Sequence, residues 1–232
     1  RMAYYIRART HKKYKGDKEW FEREVEQHTV TLPDYYLARY PVTVAQFQAF
    51  VEESGYNKMD ENSLRGVLNH PVRYVTWFDA VAYCKWLNEK LKLAAPHQKG
   101  KNETEQNFWN GIQDGNLIVS LPSEAEWEKA ARGPLPSPDY GRGAGGEGRV
   151  REFPWEGDFE QNNVNNNMVI GNTSAVGCFP QGRSPYGLLD MSGNVWEWTR
   201  SIYEKYPYKP GQKRETLDDE KAPRVLRGGA FY

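Results

Sequence analysis

The chain has 232 residues, enough for one large domain or two small ones with a substantial core. Its 31 basic and 31 acidic residues cancel, so bulk charge supports neither a nucleic-acid nor a membrane-surface partner. Apolar residues make up only 38 % while aromatic residues reach 14 %, which points to a few large rings at the centre of a loop-rich fold. No stretch approaches the roughly 20 apolar residues of a membrane span. The amino end, Arg1-Met-Ala-Tyr-Tyr5, has no apolar signal segment, so a soluble, cytoplasmic protein is expected.

Taken in chain order, residues 1–27 are highly charged, with Lys12-Lys-Tyr-Lys15 and Glu22-Arg-Glu-Val-Glu26, and read as a solvated peripheral arm. His28-Thr-Val-Thr-Leu32 and Tyr35-Tyr-Leu-Ala-Arg-Tyr40 cluster β-forming residues and predict short strands. Three helix starts follow: Thr43-Val-Ala-Gln46, Thr76-Trp-Phe-Asp79 and Ser123-Glu-Ala-Glu126. Each has a hydroxyl at the N-cap and an acid or amide three residues on, the reciprocal pattern of a capping box. The first helix carries Phe47, Phe50 and Val51 on one face and stops near Gly55. The second carries a stripe of Ala80, Val81, Cys84, Leu87 and Leu91. The third carries Trp127, Ala130 and Ala131 and ends at Gly133. Between them, Ala94 to Asp114 reads as a polar inserted loop, Asn116 to Ser120 as a strand, and Gly133 to Val150 as an irregular insertion. Cys84 and Cys178 leave two options, a disulfide or two thiols buried in the core, and the second is the expectation.

Several of these segments form an ordered set of motifs. They are Tyr40-Pro-Val-Thr-Val-Ala-Gln-Phe47, His70-Pro-Val-Arg-Tyr-Val-Thr-Trp-Phe-Asp-Ala80, Leu121-Pro-Ser-Glu-Ala-Glu-Trp-Glu-Lys-Ala-Ala-Arg-Gly133 and Phe153-Pro-Trp155. Gly187-Leu-Leu-Asp-Met-Ser-Gly-Asn-Val-Trp-Glu-Trp-Thr199 and Arg224-Val-Leu-Arg-Gly-Gly229 complete it. In order and spacing the set resembles the formylglycine-generating enzyme, or sulfatase-modifying factor, family. The resemblance covers about residues 28 to 232 and implies an α+β fold, a variant of the C-type-lectin-like architecture with few short strands, flanking helices and much irregular structure. It implies one domain over 28–232, with the family's carboxy-terminal segment lying beyond Tyr232.

Fold does not fix function in such a family. Its members include copper-dependent oxidases that make formylglycine, iron-dependent sulfoxide synthases and domains that bind ligands or partners. The last group contains the variable proteins of diversity-generating retroelements. The oxidase reading needs a cysteine pair for Cu(I). By resemblance that pair lies downstream of Arg227-Gly-Gly229, and neither Cys84 nor Cys178 matches it. The iron reading needs a histidine cluster, but His11, His28, His70 and His97 form no H-x-x-x-H pair. The resemblance further implies a Ca²⁺ site with Asp190 and Glu197 as carboxylate ligands and Gly193 and Val195 as carbonyl ligands, hard oxygens that suit Ca²⁺. A competing reading has Asp190 capping a turn and Glu197 paired with Arg200 or Arg227. A second family site would draw on Asn163, within the run Gln161-Asn-Asn-Val-Asn-Asn-Asn167, which an ordinary loop also explains. Trp196 or Trp198 is expected to fill the core.

The function expected on these grounds is a non-catalytic ligand- or protein-binding module without catalytic residues, and a retroelement-diversified variable protein is one version of it. Its partner would be an unknown protein or small ligand, met through the carboxy-terminal region and the loops at Asn162–Asn167 and Tyr203–Tyr208. The alternatives are a copper-dependent oxidase whose cysteine segment lies outside this sequence, and an accessory domain of a larger bacterial signalling or defence protein.

Overall fold

A computed structural model describes residues 30–133, 151–207 and 213–232. The charged arm expected at 1–27, residues 28 and 29, most of the irregular insertion before Val150, and Tyr208 lie outside these. The chain divides into two compact units, Val42–Leu121 and the combination of Arg1–Pro41 with Pro122–Tyr232.

In the Val42–Leu121 unit, helix α1 (Val44–Ser54) opens on the capping box of Thr43 and Gln46 and closes at Gly55 in the left-handed conformation, φ 65°. Helix α2 (Trp77–Ala94) opens on the capping box of Thr76 and Asp79. The two helices share an aromatic cluster. Phe47 and Phe50 of α1 are buried with Tyr83 of α2, and the Phe50 ring lies 5.7 Å from Tyr83 and 5.5 Å from Trp86. The expected α2 stripe is only half-buried throughout. The large ring of Tyr83 takes the inward position instead, because it fills the space between two phenylalanines that Ala80 or Cys84 would leave open.

Two expectations in this unit are corrected. The supposed polar loop contains helix α3 (Glu103–Gln113), whose Asn102 cap accepts from the Glu105 amide at 2.9 Å and whose first turn carries Glu103 and Glu105. The supposed strand at 116–120 has no ladder partner, because its donors are taken elsewhere: Leu117 N–H bonds the Gly111 carbonyl and Val119 N–H bonds Asn88 Oδ1.

The other unit holds helix α4 (Glu124–Arg132) and an antiparallel pair, β1 (Glu197–Ile202) and β2 (Arg224–Arg227). Ser123 and Glu126 form the third capping box, and Trp127, Ala130 and Ala131 are buried against Leu188 and Met191. Residues 30–32 and 35–40 are not strands, which corrects the two sequence expectations. Side chains explain the second: Leu37 packs on the α4 cluster and Tyr35 donates its hydroxyl to the Glu126 carbonyl at 2.9 Å, so the segment is tied to the helix by its side chains instead of a ladder. A second cluster stacks Phe153 on Trp155, ring centroids 5.0 Å apart, beside Val164. Glu197 faces Arg227 and Trp198 faces Leu226 in the β1/β2 register, with an irregularity before the Ile202–Arg224 pair.

Candidate functional site

The segment from Asp190 to Glu197 is folded by its own backbone before any side chain acts. Asp190, Gly193 and Asn194 adopt positive φ of 61°, 74° and 63°. Gly193 is obligatory there: a Cβ would strike the Asn165 carbonyl and come within 2.6 Å of Val164 Cγ2. Gly193 N–H bonds the Gly228 carbonyl at 2.8 Å, Asn194 N–H the Asn165 carbonyl at 2.9 Å, and Phe231 N–H the Asn194 carbonyl at 3.1 Å. The Arg-Gly-Gly segment and the asparagine run thus hold this loop from two directions.

Its two carboxylates are supported only by neutral donors. Asp190 Oδ2 accepts from the Gly177 amide at 2.6 Å, and Oδ1 accepts from Asn194 Nδ2 at 3.3 Å. Burial nevertheless pushes the Asp190 carboxyl above its ordinary value, against those two bonds. Glu197 Oε2 accepts from the Trp127 indole at 2.8 Å, whereas Oε1 is buried without a partner. Burial, with a smaller push from the Asp190 charge, raises Glu197 to about 7 against the indole bond. Among the described residues no guanidinium pairs with either of these buried acids, and the Asp190 charge disfavours ionisation of Glu197.

An amide network braces the same place. Asn194, 1 % exposed, accepts at Oδ1 from Ser174 N–H at 3.0 Å and donates from Nδ2 to the Ser174 carbonyl at 3.3 Å. Asn165, 2 % exposed, donates from Nδ2 to the Asn172 carbonyl at 2.9 Å and Ser174 Oγ at 3.3 Å, with Asn194 Oδ1 at 3.5 Å. Its Oδ1 is buried without a partner.

A second buried cluster lies in the same unit and is built differently. Glu124 accepts from Arg214 at 2.5 Å and also from Arg227 and the Tyr206 hydroxyl. The Arg214 guanidinium lies over the Tyr206 ring, 5.0 Å from its centroid. Ser201 Oγ accepts from the Glu124 amide at 2.8 Å and donates to Glu215. Glu126 pairs with Arg200 at 2.8 Å. Burial pushes Glu126 up, but the Arg200 and Ser123 donors outweigh it and hold its carboxyl below the usual range.

The expected ion ligands Asp190, Gly193, Val195 and Glu197 thus share one loop and strand start. Part of the competing reading is also present, since Asp190 caps the turn at Gly177; Glu197 bonds the Trp127 indole, and Arg200 and Arg227 serve Glu126 and Glu124. Asn163 sits half-exposed in a 3-10 turn (Gln161–Asn163), and the buried asparagines are Asn165 and Asn166. Among the described residues there is no group of three His, Cys, Asp or Glu side chains placed to hold a metal, so any ion here depends on carbonyl and amide oxygens. Trp127, Asn165 and the Glu124 arginine cluster escape sequence reading as site residues. Trp127 looks like simple core, Asn165 is one asparagine among five in a row of seven, and Glu124 meets arginines 90 and 103 positions away.

Other expectations need correction. Cys178 is exposed in a turn, closed by its amide on the Ala175 carbonyl, and is not a core thiol; both cysteines are free. Cys84 is the shielded one, its thiol pushed up by burial to about 12. Neither Trp196 nor Trp198 is fully buried, and Trp196 is 46 % exposed. The core places are taken by Trp77, Trp127 and Trp155, whose helices and turns aim them inward. Near the end of the chain, Met168 N–H bonds the Phe231 carbonyl at 2.7 Å, and Met168, Val169, Ile170 and Tyr232 are all exposed. An open polar groove of about 520 Å³ is lined by Ile202, Glu204, Lys213, Thr216, Asp218 and Asp219. Among the described residues no helix is long and apolar enough to cross a membrane.

Sparse secondary structure, one short hairpin-like pair and large irregular loops held by buried polar side chains define an α+β domain of the formylglycine-generating-enzyme variant of the C-type-lectin-like fold. The chain belongs to the family of the sulfatase-modifying factor enzyme 1-like domain, whose model matches residues 7–232. It is 28 % identical to the formylglycine-generating enzyme of Mycobacterium tuberculosis over 93 % of this chain and 82 % of that protein. It is 27 % identical to the hercynine oxygenase of Mycolicibacterium smegmatis over 90 % of this chain, spanning about half, 49 %, of that relative. The solved structure of PvdO from Pseudomonas aeruginosa superposes with a TM-score of 0.50 at 21 % identity, covering 83 % of this chain and 67 % of that one, and shows the fold.

Proposed function

We propose that this chain is a non-catalytic ligand- or protein-binding module whose working surface is the face carrying Met168, Val169, Ile170 and Tyr232. The observation that carries the reading is that exposed run of three apolar residues, docked by the Met168 to Phe231 backbone bond beside the exposed Tyr232. A loop kept at the surface by its backbone leaves its side chains for a partner. A polar groove lined by Ile202 and Glu204 extends the choice of ligand within the same unit. A retroelement-diversified variable protein, or an accessory domain of a larger signalling or defence protein, would use such a face. Two free thiols favour a reducing compartment such as the cytoplasm.

Under the same proposal, Ca²⁺ braces the scaffold beneath that face. The residues fit a hard cation: two carboxylates without a counter-charge, an unpartnered buried Glu197 Oε1, and the carbonyls of Gly193 and Val195 between them. The ion would supply positive charge and fix the loop. Asn163 remains a candidate for a second ion.

A second reading, part of a copper-dependent formylglycine-generating oxidase, is favoured by the similarity to the Mycobacterium tuberculosis enzyme. The cysteines present do not fit copper: the Cys84 thiol is held protonated, and Cys178 sits in an exposed turn. The test has two arms. Copper-dependent oxygen consumption with a cysteine-containing sulfatase peptide overturns the non-catalytic reading. A peptide and glycan panel probed with wild type and with Met168, Val169 and Ile170 all changed to Ser is expected to give hits that the variant loses at unchanged melting temperature.

A further inference from the structure

The polar groove is built by main-chain bonds between the end of β1 and the segment that returns to β2. Ile202 N–H bonds the Arg214 carbonyl at 2.8 Å, and Tyr203 N–H the Pro223 carbonyl at 2.7 Å. Arg224 staples the return segment from the start of β2: Nη1 donates to the Arg200 and Thr216 carbonyls at 2.6 and 2.7 Å, and Nη2 to the Asp219 carbonyl at 2.6 Å. Ile202 and Glu204 line the groove from one segment; Lys213, Thr216, Asp218 and Asp219 line it from the other. The lining is thus fixed without a ligand, and its volume of about 520 Å³ suits a small molecule.

The charges in this lining are left open. Asp219 Oδ1 accepts from the Lys221 and Ala222 amides at 3.2 and 3.1 Å, and Asp218 Oδ2 from the Thr216 hydroxyl at 3.2 Å. The other oxygen of each aspartate and both oxygens of Glu204 accept nothing from the described residues. Lys213 shares the groove with these acids but pairs with none of them. Arg224 senses the Asp219 charge, yet its guanidinium is occupied by the three carbonyls. Among the described residues no three acids are placed to hold a metal, so a ligand that answers all three carboxylates carries its positive charges apart. It also carries a negative charge for Lys213.

We propose that the groove binds a basic α-amino acid, lysine or arginine. Its two cationic groups meet the Glu204, Asp218 and Asp219 carboxylates, its own carboxylate meets the Lys213 ammonium, and Ile202 offers apolar contact to the aliphatic stem. A diamine or a metal ion leaves Lys213 repelled, and a neutral amino acid leaves the carboxylates in surplus. The proposal rests on the ligand-binding reading above and names a ligand class for its groove. The charged lining is exposed, so each pair contributes little, and a dissociation constant of about 1 mM that weakens with salt is expected.

The experiment titrates the ¹⁵N-labelled full chain, in EDTA, with L-lysine, L-arginine, cadaverine and norleucine while amide shifts are followed. Lysine and arginine shifts should centre on Ile202 to Glu204 and Lys213 to Asp219, with affinity falling at least about threefold from about 20 to about 200 mM NaCl. Norleucine, which keeps the α-groups and lacks the second cation, should bind at least about threefold more weakly than lysine. In Lys213→Gln the ratio of lysine to cadaverine affinity should drop at least about threefold, because lysine loses a pair and cadaverine loses a repulsion. Glu204→Gln should weaken both, while Glu89→Gln, an exposed acid of the Val42–Leu121 unit, should change neither. Each variant alters an exposed side chain, and amide shifts away from the groove report its fold. Shifts centred elsewhere, norleucine equal to lysine, or an unaltered ratio in Lys213→Gln overturns the assignment, the last leaving attraction by bulk charge only. No binding of either basic amino acid at ten times the expected constant of about 1 mM also overturns it. If the peptide and glycan panel still gives hits, the groove assignment alone falls; if the panel is empty as well, the binding-module reading falls with it.

Discussion

Two buried acidic clusters share one unit of this molecule and solve the same problem in opposite ways. Around Glu124 and Glu126, each carboxylate is met by guanidinium groups brought by β1, β2 and the segment before β2. Around Asp190 and Glu197, the donors are amides, an indole and nothing stronger. Charge compensation inside the chain marks the first as architecture. The second has neutral donors alone, which is the observation that favours an added cation under the proposed reading. The same helix touches both: Glu124 and Glu126 in the first turn of α4 face the arginines, and Trp127 at the next position orients Glu197.

The sharpest way to break this contrast is to remove the acid from the compensated cluster. Glu124→Ala strands the buried Arg214 and leaves Arg227 without its carboxylate, and we expect a loss of about 3–5 kcal/mol in urea unfolding, the cost typical of halving a buried pair. A loss below about 1 kcal/mol would show that the arginines find water or other acceptors. For the uncompensated cluster the large effect comes from outside. Ca²⁺ at about a hundredfold over its dissociation constant should stabilise the chain by about 2.7 kcal/mol, read as a rise in melting temperature that EDTA reverses. Unchanged melting in both conditions, with no metal by elemental analysis, removes the ion.

Smaller effects separate one glutamate of each cluster, Glu126 and Glu197. Glu126→Gln should cost about 1–2 kcal/mol at neutral pH, as expected for a charged hydrogen bond. Because its folded carboxyl lies below the ordinary 4.5, that contribution is present above about pH 4.5 and is lost as pH falls through the lower, folded value. Denaturant titrations of wild type and variant should therefore converge on acidification; a gap that widens contradicts the Arg200 pairing. Glu197→Gln is expected to lie within about 1 kcal/mol of wild type in EDTA, because an amide oxygen still accepts from Trp127 and a repelled charge disappears. Its Ca²⁺-dependent rise should vanish. A large loss in EDTA would mean that the carboxylate is paid for by partners other than an ion.

The parts of this picture legible in the sequence are those with local codes. Thr43 with Gln46, Thr76 with Asp79 and Ser123 with Glu126 announce their helices because a cap is a contact between residues three apart. Helix α3 went unread because its apolar residues, Phe108, Trp109 and Ile112, are few and its signal rests on one cap, Asn102. The strand expectation at 35–40 failed because β-forming residues were put to work as side-chain contacts on α4. For the site, the order of motifs brought Asp190 and Glu197 forward through family resemblance. Nothing in a run of asparagines distinguishes Asn165, which becomes singular only when Gly193 is laid against its carbonyl.

Phe231 illustrates a further property of the molecule. Its N–H goes to Asn194 and its carbonyl to Met168, so one peptide unit on either side of a single residue fastens the loop around the acids to the loop that carries the exposed apolar run. The fastening uses main-chain atoms, which every residue except proline supplies. The Phe231 ring is itself buried, so the residue anchors the two loops by its side chain as well as by its main chain, and Phe231→Pro would sever the bond to Asn194 and empty the place of the ring at once. Substitutions of the exposed Met168, Val169 and Ile170 side chains leave this fastening intact, because the bond at Met168 uses its main-chain N–H.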